Sequence, residues 1–260
     1  LEFYFNSAGK LKCRKERSKI TPPSLLPEYG MVSAQTGYLT DLMGASVFPT
    51  PKPVAMLQDF LTWFAAPGDL VMDFFAGSGT LGEAAMRNGN GEGGPRFLLV
   101  QLPEPLDEND PDQRVSAQHC RDLGKPQNIA ELAKERLRRA GSRVKEETPM
   151  FSGDLGFRVF KLDSSNIHEW EPNRDELDES LIEHIEHLRA DRSEQDILYE
   201  LLLKRGLDLC VPIETKEIAG KQVHSIGAGS LFACLAESIS RDEGEDLALG
   251  IVAGPAPREP

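Results

Sequence analysis

The stretch Asp69-Leu70-Val71-Met72-Asp73-Phe74-Phe75-Ala76-Gly77-Ser78-Gly79-Thr80 constrains this chain more than any other. A short apolar run meets an acid, then two glycines, then the start of a helix. The run from Leu70 to Phe75 is bounded by Pro67-Gly68 and by Gly77, the pattern of a strand buried on both faces of a parallel sheet. Asp73 interrupts it. A carboxylate beside Phe74 and Phe75 is costly to bury unless it lies at the open end of the strand, where a ligand or backbone amides can satisfy it. Asp73 is therefore expected to face a site. Gly77 and Gly79 permit a sharp turn and the close approach of a ligand, and the helix from Thr80 presents free amides that favour polar or anionic groups.

By itself Gly77-x-Gly79-x-x-Gly82 fits the dinucleotide-binding fingerprint, so a nicotinamide or flavin oxidoreductase is one alternative. A loop that merely turns the chain and binds nothing, in a non-catalytic interaction module, is another. Upstream lies Val47-Phe48-Pro49-Thr50-Pro51-Lys52-Pro53, a loop stiffened by prolines whose last member suits the first turn of a helix. That helix, expected over Val54 to Ala66, carries Val54, Leu57, Phe60, Leu61 and Phe64 at helical spacing and should dock on the sheet.

The longer string Asp73-Phe74-Phe75-Ala76-Gly77-Ser78-Gly79-Thr80 resembles the S-adenosylmethionine-binding motif of amino-group DNA methyltransferases. The segment from Phe48 to Pro53 resembles that family's other cofactor motif, which covers the methionine end. Further on, Phe97-Leu98-Leu99-Val100-Gln101-Leu102-Pro103-Glu104-Pro105, Ile129 to Arg139 and Asp154 to Asn166 resemble segments of the modification subunits of type III restriction-modification systems. The resemblance implies S-adenosyl-L-methionine as cofactor. Its candidate contacts are Phe48, Thr50, Lys52, Asp73, Phe74, Phe75, Ala76, Gly77, Gly79 and Thr80. Gln101 stands where a nucleotide-binding unit usually carries an acid for the ribose hydroxyls; it can still donate and accept.

Composition narrows the class. With 260 residues, 40% hydrophobic and 27% charged, the chain reads as soluble and globular, with one or two domains. No run approaches a membrane span and no signal peptide is visible, so a cytoplasmic protein is expected. The net charge of −13 argues against a surface that embraces nucleic acid all over. The one dense basic run, Lys10 to Lys19, would either touch a DNA backbone or be a solvated hairpin. Cys13, Cys120, Cys210 and Cys234 are scattered as in a protein with reduced thiols. His184 and His187, three apart beside Glu183 and Glu186, fit a solvated helix face better than a metal site.

The rest of the chain reads in order. Residues 1–45 are expected to form hairpins and loops. A helix from Thr80 to Asn88 is closed by Gly89, and Arg96 to Glu104 forms the second strand. Residues 107–125 are a long polar loop, either a lid or DNA-facing element beside the site or a mobile one. A helix from Asn128 to Ala140, with Glu131–Lys134 and Glu135–Arg139 pairs outside, crosses over to a third parallel strand at Phe157 to Leu162. Asp163 would then approach the adenosyl group or stabilise the turn into Ser164. Beyond Pro172 come an amphipathic helix on Leu177, Leu181, Ile185 and Leu188, a second capped by Ser193 and Asp196, a hairpin over 216–226 and a strand over 231–235.

The expected fold class is thus α/β: a partial Rossmann-like methyltransferase sheet carrying the S-adenosylmethionine-binding half, with a small α+β C-terminal module. Residues 1–46 would be the tail of a target-recognition segment, 47–170 the cofactor-binding part, and 171–260 the accessory module. The resemblance implies methyl transfer to the N6 of an adenine flipped out of double-stranded DNA, alongside a restriction subunit and with a homodimer left open. No catalytic tetrapeptide of the Asp-Pro-Pro-aromatic kind is present; Thr21-Pro22-Pro23-Ser24 differs at both ends. The chain is therefore expected to be an excerpt that binds cofactor and is inactive alone, with no catalytic residue and no metal ligand of its own.

Overall fold

The computed structural model describes residues 2–5, 9–14, 29, 32–89, 93–168, 188–189 and 191–253. The chain divides into two compact units, residues 1–157 and 158–260.

The first unit opens with a hairpin of β1 (Glu2–Phe5) and β2 (Leu11–Arg14), Phe5 pairing with Leu11. Then come α1 (Val32–Met43) and α2 (Val54–Phe64). A β-α-β unit follows: β3 (Leu70–Asp73), α3 (Thr80–Asn88) and β4 (Arg96–Leu99). The two strands run parallel, Leu70 opposite Arg96 and Asp73 opposite Leu99. Two helices complete the unit, α4 (Arg114–Asp122) and α5 (Ile129–Glu147).

Local chemistry fixes these borders. Pro53 caps α2 at φ −64°, and the Asp69 carboxylate accepts the amide of Ala66 at 2.8 Å, so the helix ends at Phe64 and not at Ala66 as its apolar periodicity suggests. The Asn128 side chain accepts the Glu131 amide at 2.9 Å and starts α5. That helix continues past Ala140 because Gly141 lets Leu155 pack directly on its backbone and because Val144 adds another buried turn.

Two apolar clusters hold the unit. Val54, Leu61, Ala84 and Ala85 join Val71 and Phe97, so α2 and α3 cover one face of the sheet. Leu39, Leu42, Met43, Val47, Cys120, Leu132 and Ala140 gather α1, α4 and α5 around the start of the proline loop.

No other described residue of this unit covers the opposite face of the sheet. Leu70, Met72, Leu98 and Val100 are 41–57% exposed, and at the strand ends Phe74, Phe75 and Leu102 are more exposed still. The expectation of strands buried on both faces is therefore corrected: the apolar run is real, but among the described residues of this unit the sheet has two strands and its second side stays exposed.

The third parallel strand is also corrected. Residues 157–162 form no strand. Two of their side chains are committed within the second unit: the Arg158 guanidinium donates to Tyr199 Oη at 3.0 Å and to the carbonyls of Leu209 and Val211, and Phe160 meets the Tyr199 ring edge-on. The architecture is mixed α/β with small sheets.

The second unit contains α6 (Glu194–Lys204), an antiparallel meander of β5 (Ile213–Ile218), β6 (Lys221–Ile226) and β7 (Leu231–Ala233), and α7 (Arg241–Val252). Ser193 and Asp196 form the expected capping box, and Leu198, Leu202 and Ile226 make the core. The amphipathic helix expected over 177–188, with His184 and His187, lies outside the described residues except for Leu188, which bridges to Ile167. Sequence reasoning treats α1, α4 and α7 as loop or passes over them. Gly37 and Thr40 blur the first, Asp-Pro and Gly-Lys-Pro breakers flank the second, and Gly244 and Gly250 interrupt the third.

Candidate functional site

The site is built where β3 ends and α3 begins. Asp73 terminates the strand, and its Oδ1 accepts the amide of Phe75 at 3.0 Å, which turns the chain sharply. The amide of Ala76 donates to Val100 at 3.1 Å and that of Gly79 to Ala76 at 2.7 Å. Gly77 and Gly79 sit at φ +54° and +80°, the left-handed region that glycine tolerates. A β-carbon on Gly79 would lie 3.5–3.7 Å from Ala133 and Leu137 of α5. At Gly82 it would stand 2.7 Å from Leu137 Cδ2 and 2.9 Å from Leu99 Cδ1, so this glycine lets α3 sit close on both β4 and α5.

The proline loop reaches the glycine loop through one ring. Phe48 Cζ lies 3.5 Å from where a β-carbon of Gly77 would be. The loop that carries Phe48 is tied down at both ends: buried Ser116 of α4 donates its hydroxyl to the Val47 carbonyl at 2.7 Å, and Thr36 of α1 donates to Pro49 at 3.1 Å. Pro51 is buried, whereas Thr50 and Lys52 are exposed. Gln101, just beyond β4, accepts the amide of Gly77 on Oε1 at 2.7 Å and donates from Nε2 to the Leu102 carbonyl at 3.2 Å.

Of the candidate contacts, Gln101 is thus hydrogen-bonded to Gly77, and the Phe48 ring lies beside the open side of Gly77. Asp73, Phe74, Phe75, Ala76 and Gly79 share their turn, with Phe74 and Phe75 63% and 89% exposed. Thr80 is different: its hydroxyl is turned inward, 2.7 Å from Arg136 Nη1. Asp163 belongs to the second unit, where it accepts the Ser164 amide and pairs with Arg192 at 2.9 Å. These contacts hold its carboxyl down at about 2, the turn-stabilising role.

Behind the loop lies a group that sequence reasoning misses. Glu83 and Arg136 are wholly buried and paired at 3.0 Å. Arg136 Nη1 donates to Ser78 Oγ at 2.6 Å and to Thr80 Oγ1. The other Glu83 oxygen accepts from Arg87 Nε at 3.1 Å and from the Tyr38 hydroxyl, and Arg87 Nη1 reaches Glu147 at 2.9 Å. Burial, and then the negative charge of Glu83, push the Tyr38 phenol above its ordinary value. A signal was present in the sequence: position 136 falls on the same helical face as Leu132, Ala133 and Ala140.

Two hollows, about 410 and 370 Å³, flank the outer side of α5 around Arg138 and Ser142, away from the glycine loop. Among the described residues no cluster of metal-ligating side chains occurs, and no helix is long and apolar enough to cross a membrane.

Residues 13–91 match a protein-family model described as DNA methylase, which takes in both the proline loop and the glycine loop. The chain is similar to modification subunits of type III restriction-modification enzymes. It is 32% identical over 125 residues to the StyLTI Mod subunit of Salmonella typhimurium, covering 48% of this chain and 18% of that protein. It is 40% identical over 83 residues to the EcoPI Mod subunit of Escherichia phage P1, covering 32% and 13%. With the EcoP15I Mod subunit of Escherichia coli the identity is 28% over 185 residues, covering 68% and 25%. The matches therefore span at most a quarter of these relatives' own lengths.

Proposed function

We propose that this chain, similar over much of its length to type III modification subunits, is the S-adenosylmethionine-binding part of a DNA adenine-N6 methyltransferase in a restriction-modification system. The meeting of Phe48 with Gly77 carries the proposal: two motifs about thirty residues apart in sequence converge on one loop. The residues suit a nucleoside carrying a sulfonium better than a dinucleotide. A pyrophosphate would need the loop amides free at the helix start, yet the Gly77 amide is taken by Gln101 and that of Gly79 by Ala76. Arg136, which lies behind the loop, is already matched by Glu83.

In this assignment Phe48, Thr50 and Lys52 hold the methionine end, and Asp73, Phe74, Phe75, Ala76, Gly77, Gly79 and Thr80, with Gln101, hold the nucleoside end. S-adenosylmethionine supplies the activated methyl group. The chain's own contribution is orientation: exposed Phe74 and Phe75 offer apolar surface to a flat group, and the loop backbone fixes the direction of approach. Double-stranded DNA and a restriction subunit are the proposed partners, and the adenine-holding tetrapeptide is supplied from outside these 260 residues.

Calorimetry with S-adenosylhomocysteine and with NAD tests this. Binding of the first, lost in Gly79→Trp, supports it, while preference for NAD returns the loop to an oxidoreductase. Adenine methylation by residues 1–260 alone would contradict the assignment of the catalytic group elsewhere.

A further inference from the structure

Burying a carboxylate and a guanidinium together is poor economy if stability is the only return, because an apolar pair of similar volume serves as well or better. Glu83 and Arg136, at 0% and 1% exposure, therefore call for a second role. Their remaining contacts supply one. The Arg136 fork spends one edge on Glu83 and turns Nη1 to Ser78 Oγ, Thr80 Oγ1 and, at 3.4 Å, the Ser78 carbonyl. All three acceptors belong to the glycine loop or its junction with α3.

Glu83 is the anchor of that fork. It lies in the first turn of α3, where a negative charge is favoured by the helix dipole, and its second oxygen is held by Tyr38 of α1 and Arg87. The loop is gripped from behind through side chains and from the front by Gln101 on Gly77. Its two left-handed glycines have no conformational preference of their own that would keep it in one shape.

We propose that Arg136, oriented by Glu83, is a positioning residue that presets the cofactor loop, so that little ordering is left to do when the ligand arrives. This rests on the assignment of the loop to S-adenosylmethionine. The guanidinium is required rather than any cation, since only a planar fork reaches a carboxylate and two hydroxyls at once.

The decisive variant replaces both charges, Glu83→Leu with Arg136→Met, beside Arg136→Lys, in the full chain. Three readouts are taken: thermal melting, amide hydrogen exchange of peptides spanning 76–80, and calorimetry with S-adenosylhomocysteine. The double variant should stay folded, melting somewhat below the parent because Tyr38 and Arg87 also lose Glu83, exchange its loop amides at least tenfold faster with α5 unchanged, and bind at least tenfold more weakly. Arg136→Lys should fall between. Loop exchange and binding within twofold of the parent in the folded double variant would overturn the proposal. If the parent binds no S-adenosylhomocysteine the cofactor assignment fails by itself, and the exchange comparison still decides whether Arg136 holds the loop. Should the double variant fail to fold, unchanged loop exchange in Arg136→Lys overturns the proposal and faster exchange supports it.

Discussion

Gln101 Oε1 accepts the amide proton of Gly77 at 2.7 Å, so a residue just past the second strand latches the loop that follows the first. The latch gives the Gln101 side chain a part in setting the shape of the glycine loop. Gln101→Glu keeps an acceptor and should preserve S-adenosylhomocysteine binding. Gln101→Leu removes it, and loss of about 1 kcal/mol corresponds to binding about fivefold weaker by calorimetry.

Gly82 is a packing position. A β-carbon there would come within 2.7 Å of Leu137 and 2.9 Å of Leu99, both on the core side. Gly82→Ala forces α3 away from its neighbours and should cost about 1–3 kcal/mol in denaturant unfolding, despite the better helix propensity of alanine. A stabilised Gly82→Ala would mean that α3 and α5 lie farther apart than described.

Ser116→Ala tests the support of the proline loop. The Val47 carbonyl would lose a buried donor at 2.7 Å, a cost of about 1–3 kcal/mol where no water replaces it. Faster hydrogen exchange over residues 47–53 should accompany it, with the second unit unaffected.

The second unit carries a pH signature. Although burial pushes the other way, hydrogen bonds from Ser165, Lys204 and the Asn166 amide hold the Glu200 carboxyl down at about 2. A carboxyl depressed in the folded state stabilises above its unfolded value, roughly 4.3, and that contribution fades as pH falls toward the folded one. The melting-temperature advantage of the parent over Glu200→Gln should therefore be constant from neutral pH to about 5 and vanish by about 2. An advantage that persists undiminished at pH 2 would place the origin elsewhere.

What the sequence makes legible is local. The run Leu70 to Asp73, the glycines, the capping box of Ser193 and Asp196 and the hairpin over 216–226 all declare themselves through short-range chemistry, and each appears in the structure. The Glu131–Lys134 and Glu135–Arg139 pairs on α5 do as well. Long-range partners do not. Phe157 to Leu162 has the composition of a strand, but a strand needs a neighbour, and Arg158 finds carbonyls in the second unit instead. Glu83 and Arg136 are 53 residues apart, and charge inside an apolar pattern discloses a partner only once both elements are placed.

The bare side of the β3–β4 sheet has a practical consequence. Four exposed apolar side chains on strands that have no further partner among the described residues form a template on which further copies can stack. The isolated chain should accordingly be prone to aggregate as concentration rises. Its solubility should improve with Leu70→Lys or Leu98→Glu, substitutions that leave the helix-covered side, and with it the glycine loop, untouched.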